Sequence, residues 1–184
     1  AEYTPCENGN SYYTFRIGAI WGIVLDCGED KVDGNAQYGN TICCRHFREK
    51  ETEYIKNVIK NSAEEYEKAD IQHKIAVVHI PFTRRHAERF NIEEDLYSEW
   101  ARLLKDEIKP EVMICGHEHR INLVYPGEEK ELYKHPCPVI VGSRVVKDEK
   151  NYYIGTGIQF GQESINVVAT DNEGQIMEIG DIVI

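Results

Sequence analysis

The apolar positions of this chain change period several times, and each change marks an element. From Tyr12 to Asp26 aromatic and β-branched residues crowd together around Gly18. This composition suits a pleated, half-buried surface and predicts two strands joined by a tight turn. Between Cys27 and Asn40 the composition shifts to Gly, Asp, Glu and Asn, the chemistry of a loop. From about Arg45 to Lys68, Phe47, Tyr54, Ile55, Val58, Ile59 and Tyr66 recur at three- and four-residue intervals among Glu and Lys. That period predicts an amphipathic helix whose charged face is solvated.

Two short apolar runs follow, KIAVVH at 74–79 and EVMIC at 111–115, of the kind buried within a parallel sheet. The segment between them carries helix signals. Asn91 is placed as an N-cap with Glu94 three residues on, Leu96, Trp100, Leu103 and Leu104 share one face, and Pro110 stands just past the end. Strand, helix and strand make a βαβ unit. After His119 the strand-like pieces INLVY, PVIVGS, YYIGTGIQF, SINVVAT and QIMEIGDIVI alternate with turns, and the last third is expected to be antiparallel β. No internal repeat or low-complexity linker interrupts the 184 residues, so one domain over 1–184 is expected.

Composition narrows the function classes. Hydrophobic residues make up 41% of the chain, which argues against disorder, and no apolar run reaches the ~20 residues a membrane span requires. A formal net charge of -11 argues against nucleic-acid binding through a basic face. Six cysteines lack the C-x-x-C pairs of a zinc ribbon and the spacing of a disulfide framework. They read as reduced thiols, which favours a cytoplasmic origin. The vicinal Cys43 and Cys44 read as packing residues at a helix entry. The first residue is Ala1 and the first methionine is Met113, with no recognisable signal or transit peptide at the start. The expectation is a processed product or a piece of something longer.

Parallel strands of a βαβ unit end at the same edge of their sheet, where open α/β sheets build ligand crevices. His79 ends the first apolar run, and His117 and His119 follow the second. Topology alone therefore gathers three imidazoles, ligands suited to zinc, iron and similar ions. Gly116 permits a sharp turn after Cys115, and the i, i+2 spacing can aim both rings of G-H-E-H one way with Glu118 opposite. Pro81 stiffens the loop after His79. The plainer reading is that a histidine at a strand end is only hydrogen-bonded, and that seven histidines produce an H-x-H pair by chance.

The order of these pieces adds weight. A hydrophobic strand runs into H-x-P at His79–Pro81, and about 35 residues later an apolar strand runs into G-H-x-H at 116–119. This resembles the last two motifs of the calcineurin-like metallophosphoesterases. The stretch YYTFRIGAIWGIVLDCGEDK is similar to the aromatic hairpin and following leucine-aspartate of many bacterial members. The resemblance spans roughly residues 11–145. It implies an α/β (α+β) sandwich of two mixed β-sheets flanked by helices, the metallo-dependent phosphatase-like fold, with this chain supplying the C-terminal half.

The resemblance further implies that His79 and His117 bind one metal of a dinuclear pair and His119 the other, the ions being Mn, Fe, Zn or similar. Such pairs polarise a phosphoryl group and clamp the attacking and leaving oxygens. The expected substrate is a phosphorylated small molecule or a phosphodiester. Arg84 in HIPFTRRH could meet a substrate phosphate bidentately, with a surface ion pair as the plainer role. Asp26 and Asp30 are read as loop aspartates making local turns, outside the site.

The departures from the family pattern are as informative. The motifs D-x-H, G-D-x-x-D and G-N-H-[DE] occur nowhere in these residues. Three neutral imidazoles cannot offset two divalent cations, so this chain by itself is expected to hold at most one ion and to be inactive. Its implied partner is the missing N-terminal half of its own domain, whose absence would expose a sheet edge and face. The alternative is a non-catalytic binding or interaction module on the same scaffold.

Overall fold

The computed structural model describes residues 2–4, 9–29, 32–39, 43–81, 94–119, 121–127, 135–142 and 155–184. Arg84, Asn91 and Asp30 lie outside them. A seven-stranded mixed sheet is built from β1 (Glu2–Thr4), β2 (Tyr13–Ile17), β3 (Ile20–Leu25), β4 (His73–Val78), β5 (Val112–Cys115), β6 (Asn122–Val124) and β7 (Val139–Val141), in the order β1-β2-β3-β4-β5-β7-β6. A separate three-stranded sheet holds β8 (Gly155–Phe160), β9 (Ser164–Thr170) and β10 (Ile176–Val183) in the order β10-β9-β8. The helices are α1 (Cys44–Lys60), the short α2 (Ser62–Glu65) and α3 (Glu94–Leu103), the last running on through a wider π turn over Leu104–Ile108.

The hairpin forms as the pattern predicts. β2 and β3 pair antiparallel around Gly18, whose φ of 60° suits a residue without Cβ. Phe15 lies directly across from Gly22, and a β-carbon on Gly22 would stand 2.3 Å from the Phe15 ring. β3, β4, β5 and β7 then run parallel, each hydrogen-bonded to the next. The expectation of an antiparallel last third therefore holds for β8 to β10 but not for β7, which pairs parallel with β5 and antiparallel with β6. β1 had no signal in the hydrophobic pattern.

Alternation along the central strands sorts their side chains between two cores. Ala76, Val78, Met113, Cys115, Val139 and Val141 face α1 and α3, meeting Ile55, Val58, Tyr97, Trp100 and Leu104. Ile75, Val112 and Ile140 face the small sheet and meet Ile165, Val167 and Ile182. The result is a mixed α/β architecture of three layers, with helices on one face of the large sheet and the small sheet on the other. The small sheet is antiparallel throughout, not mixed. β10, at its edge, carries exposed Ile176, Met177 and Val183. No helix among the described residues is long and apolar enough to cross a membrane.

Two departures from the pattern concern α1. Its N-terminus is capped from the preceding loop, where Asp33 accepts the N–H of Cys44 at 2.8 Å and of Arg45 at 3.1 Å. Cys44 is buried there as a packing residue should be, but Cys43 is exposed. The charged face is also not wholly solvated, since Arg48 and Glu51 are both fully buried against the sheet. They share a helical stripe with Cys44, Thr52, Ile55 and Val58, so geometry carries them inward with the apolar set.

At the amino ends of β4 and β5, a ring contact ties the large sheet to the small one and a hydrogen bond ties it to the π turn after α3. His73 Nδ1 lies 2.8 Å from Glu111 Oε2 while its ring packs on Phe160. Lys74 donates to the carbonyl of Ile108 at 2.5 Å, satisfying a helix end that Lys109 closes in the left-handed conformation, φ 56°.

Candidate functional site

The parallel register brings the two predicted motifs to one edge. Val77 pairs with Ile114, so β4 and β5 end side by side and hand over to His79 and to Gly116–His117. The N–H of Gly116 donates to the carbonyl of His79 at 2.9 Å, extending the ladder one step beyond the strands. Gly142 does the same for β7, donating to Cys115 O at 2.7 Å. A β-carbon on Gly116 would sit 3.4 Å from His79 Nδ1, so a glycine there leaves the ring room.

Beyond Gly116 the backbone takes an uncommon path. Glu118 N–H donates to Gly116 O at 2.7 Å, and His117 between them has a φ of 66°. This is a three-residue γ-turn of the positive-φ kind, rare because it is strained. His119 also has positive φ, 51°. Left-handed backbone in residues other than glycine is a local cost that clusters at functional loops.

The consequence is that the rings of His79 and His117 meet edge to face, 5.4 Å between centroids with an interplanar angle of 89°. His117 is half-buried, whereas His79 and His119 are exposed. The structure thus brings two of the three histidines into contact and leaves His119 two residues further along the same edge. No three His, Cys, Asp or Glu side chains among the described residues converge as a metal-binding group.

Do these residues suit a metal? A divalent ion ~2.1 Å from one nitrogen of each ring would set two tetrahedrally disposed centroids roughly 5 Å apart, so the pair fits shared ligation. It is half a coordination shell, made only of neutral donors, and a complete centre needs further ligands of negative charge. The nearby cysteines do not supply them. Burial pushes the thiols of Cys27, Cys115 and Cys137 well up, so they remain protonated and pack the layer beneath the edge. All five described cysteines are unbridged.

Asp26 behaves as the turn chemistry suggests. Its Oδ1 accepts the N–H of Gly28 at 2.7 Å, an Asx turn, and its carboxylate also accepts the Ser11 hydroxyl. The hydrophobic pattern gave no hint of Arg48 and Glu51, which lie beneath this turn. Their helical spacing from Cys44 and Ile55 was the available signal. A separate shallow cleft of about 90 Å³, bounded by Arg16, Trp21, Glu64, Glu65 and Lys68, lies at the other end of the sheet, away from His79 and His117. No model of a known protein family matches this chain and no curated protein matches it, so the resemblance to calcineurin-like metallophosphoesterases rests on the quoted sequence motifs alone.

Proposed function

We propose that this chain is the histidine-bearing part of a metal-dependent phosphoesterase, acting on a phosphomonoester or phosphodiester. The observation that carries the reading is the edge-to-face pair His79–His117, 5.4 Å apart at the carboxyl edge of two adjacent parallel strands. Ions of the class the resemblance implies supply Lewis-acid polarisation of a phosphoryl oxygen when bound. His79 and His117 would hold one ion through neutral ring nitrogens, and His119 would serve a second. The strained γ-turn at His117 supports this role, because it fixes the direction of the ring before any ligand arrives. Exposure of His79 and His119 leaves the edge open to a substrate.

The acidic ligands of the pair are expected in sequence outside these 184 residues, and the chain alone is expected to show no turnover. The competing reading, a non-catalytic module with one histidine-bound ion, is favoured by the absence of all three acidic motifs from these residues. Elemental analysis and calorimetric titration with zinc and manganese, on the chain and on His79→Ala and His117→Ala, test the common part. Binding of one ion, weakened at least ten-fold in either variant, is expected; metal affinity indifferent to both substitutions would sink the proposal. Hydrolysis of an aryl phosphate and an aryl phosphodiester, assayed with any preceding coding sequence restored, separates the two readings.

A further inference from the structure

The loop after β3 and the loop after β4 leave the sheet as neighbours, because Leu25 pairs with Val78. The Cys27 thiol donates to the carbonyl of Ile80, 3.7 Å away, and Ile80 is the residue next to His79. Cys27 is itself held from below. Arg48 Nε donates to Cys27 O at 2.9 Å and Arg48 Nη2 to Glu29 O at 2.6 Å. Glu51 Oε1 accepts the N–H of Asp26 at 2.7 Å. One turn of α1 thus grips three consecutive parts of the loop, and the Arg48 guanidinium also lies 5.6 Å from the centre of the Tyr97 ring on α3.

Both charged-type side chains are fully buried. Removing a guanidinium from water is costly, and a Leu or Met at this point in the stripe would pack the sheet without that cost. What only arginine supplies is a rigid fork of donors that reaches two carbonyls at once. We propose that Arg48 and Glu51 are positioning residues for His79: they fix the loop after β3, and through the Cys27 thiol that loop fixes the His79–Ile80 turn and so the approach of His79 to His117. The bearing of this clamp on phosphoester chemistry rests on the function proposed above; the clamp itself does not.

The test uses the whole chain with isotope-labelled histidine, following the ring resonances and the cross-relaxation between the His79 and His117 rings. In Cys27→Ala, Arg48→Met and Glu51→Leu the His79 signals are expected to shift and its cross-peak to His117 to fall at least two-fold. Those of His73, at the opposite end of β4, should stay in place. Glu51→Gln retains an acceptor for Asp26 N–H and is expected to leave His79 as it is. Should Arg48→Met fail to fold, Cys27→Ala still removes the last link, together with the thiol's hydrogen bond to Tyr97, and Tyr97→Phe, which loses only that second bond, should leave the His79–His117 cross-peak in place. Folded Cys27→Ala and Glu51→Leu variants with an unaltered His79–His117 cross-peak would overturn the clamp. Zinc titration of the same samples separates the two ideas. A responsive cross-peak without zinc binding supports the clamp and refutes the metal reading, and an unresponsive one with zinc on both rings does the reverse.

Discussion

Glu51, in the middle of α1, accepts the main-chain N–H of Asp26 at 2.7 Å from a fully buried position. Burial pushes its carboxyl from an ordinary value of 4.5 up to about 9, against the opposing pull of that hydrogen bond. Between those limits the folded chain keeps a proton that the unfolded chain releases. The contribution of this group is therefore full below pH 4.5 and is lost as pH rises towards 9. Its slope across the middle of that window is about 1.4 kcal/mol per pH unit. Glu51→Gln should match the parent near pH 5 and become progressively more stable than it towards pH 8.5, as read from urea midpoints at each pH.

Trp100 Nε1 donates to the hydroxyl of Thr52 at 2.7 Å, inside the helix-facing core. Thr52→Val keeps the shape and removes the acceptor, so it should cost about 1–3 kcal/mol. Thr52→Ser should retain most of the stability. Chemical denaturation of the two variants side by side gives the comparison.

Gly22 has no room for a side chain while Phe15 lies across it. Gly22→Ala should destabilise by about 1–3 kcal/mol. A double variant with Phe15→Leu should recover part of that loss, giving a favourable coupling of about 1 kcal/mol in a double-mutant cycle.

His117 holds a positive φ that glycine adopts freely. His117→Gly should raise stability by about 1 kcal/mol through relief of that strain. If the edge binds a metal as proposed, the same variant should weaken zinc binding at least ten-fold. Thermal unfolding without metal and zinc titration of the same variant measure the two effects, and a fall in stability would show that His117 packing outweighs the strain.

Much of the fold was readable from local pattern. The hairpin around Gly18, the two buried strands and the helix between them all follow from period, turn residues and flanking proline, as does the helix expected from about Arg45 to Lys68, except that it ends at Lys60 and only the short α2 over Ser62–Glu65 follows. Each is a local preference written over a few residues. The parallel pairing of β4 and β5 also follows from their separation by a helix, and with it the meeting of His79 and His117.

What the chain order could not reveal depends on partners distant in sequence. That β7 lies parallel beside β5, and that the small sheet covers the face of Ile75, Val112 and Ile140, are choices of layer packing that no local period encodes. Helical spacing from Cys44 and Ile55 puts Arg48 and Glu51 on the inward stripe, but what they meet there is of the same kind. By composition they belong to the solvated face, and only the carbonyls and amide of the Asp26–Glu29 loop, brought under α1 by the fold, make their burial tolerable. The sequence by itself determined the placement of two histidine motifs, each following a buried strand. Tertiary structure decided how they stand, because ring orientation depends on a strained turn at His117 and on a hydrogen-bonded loop held from beneath, and both arise only when separate segments pack together.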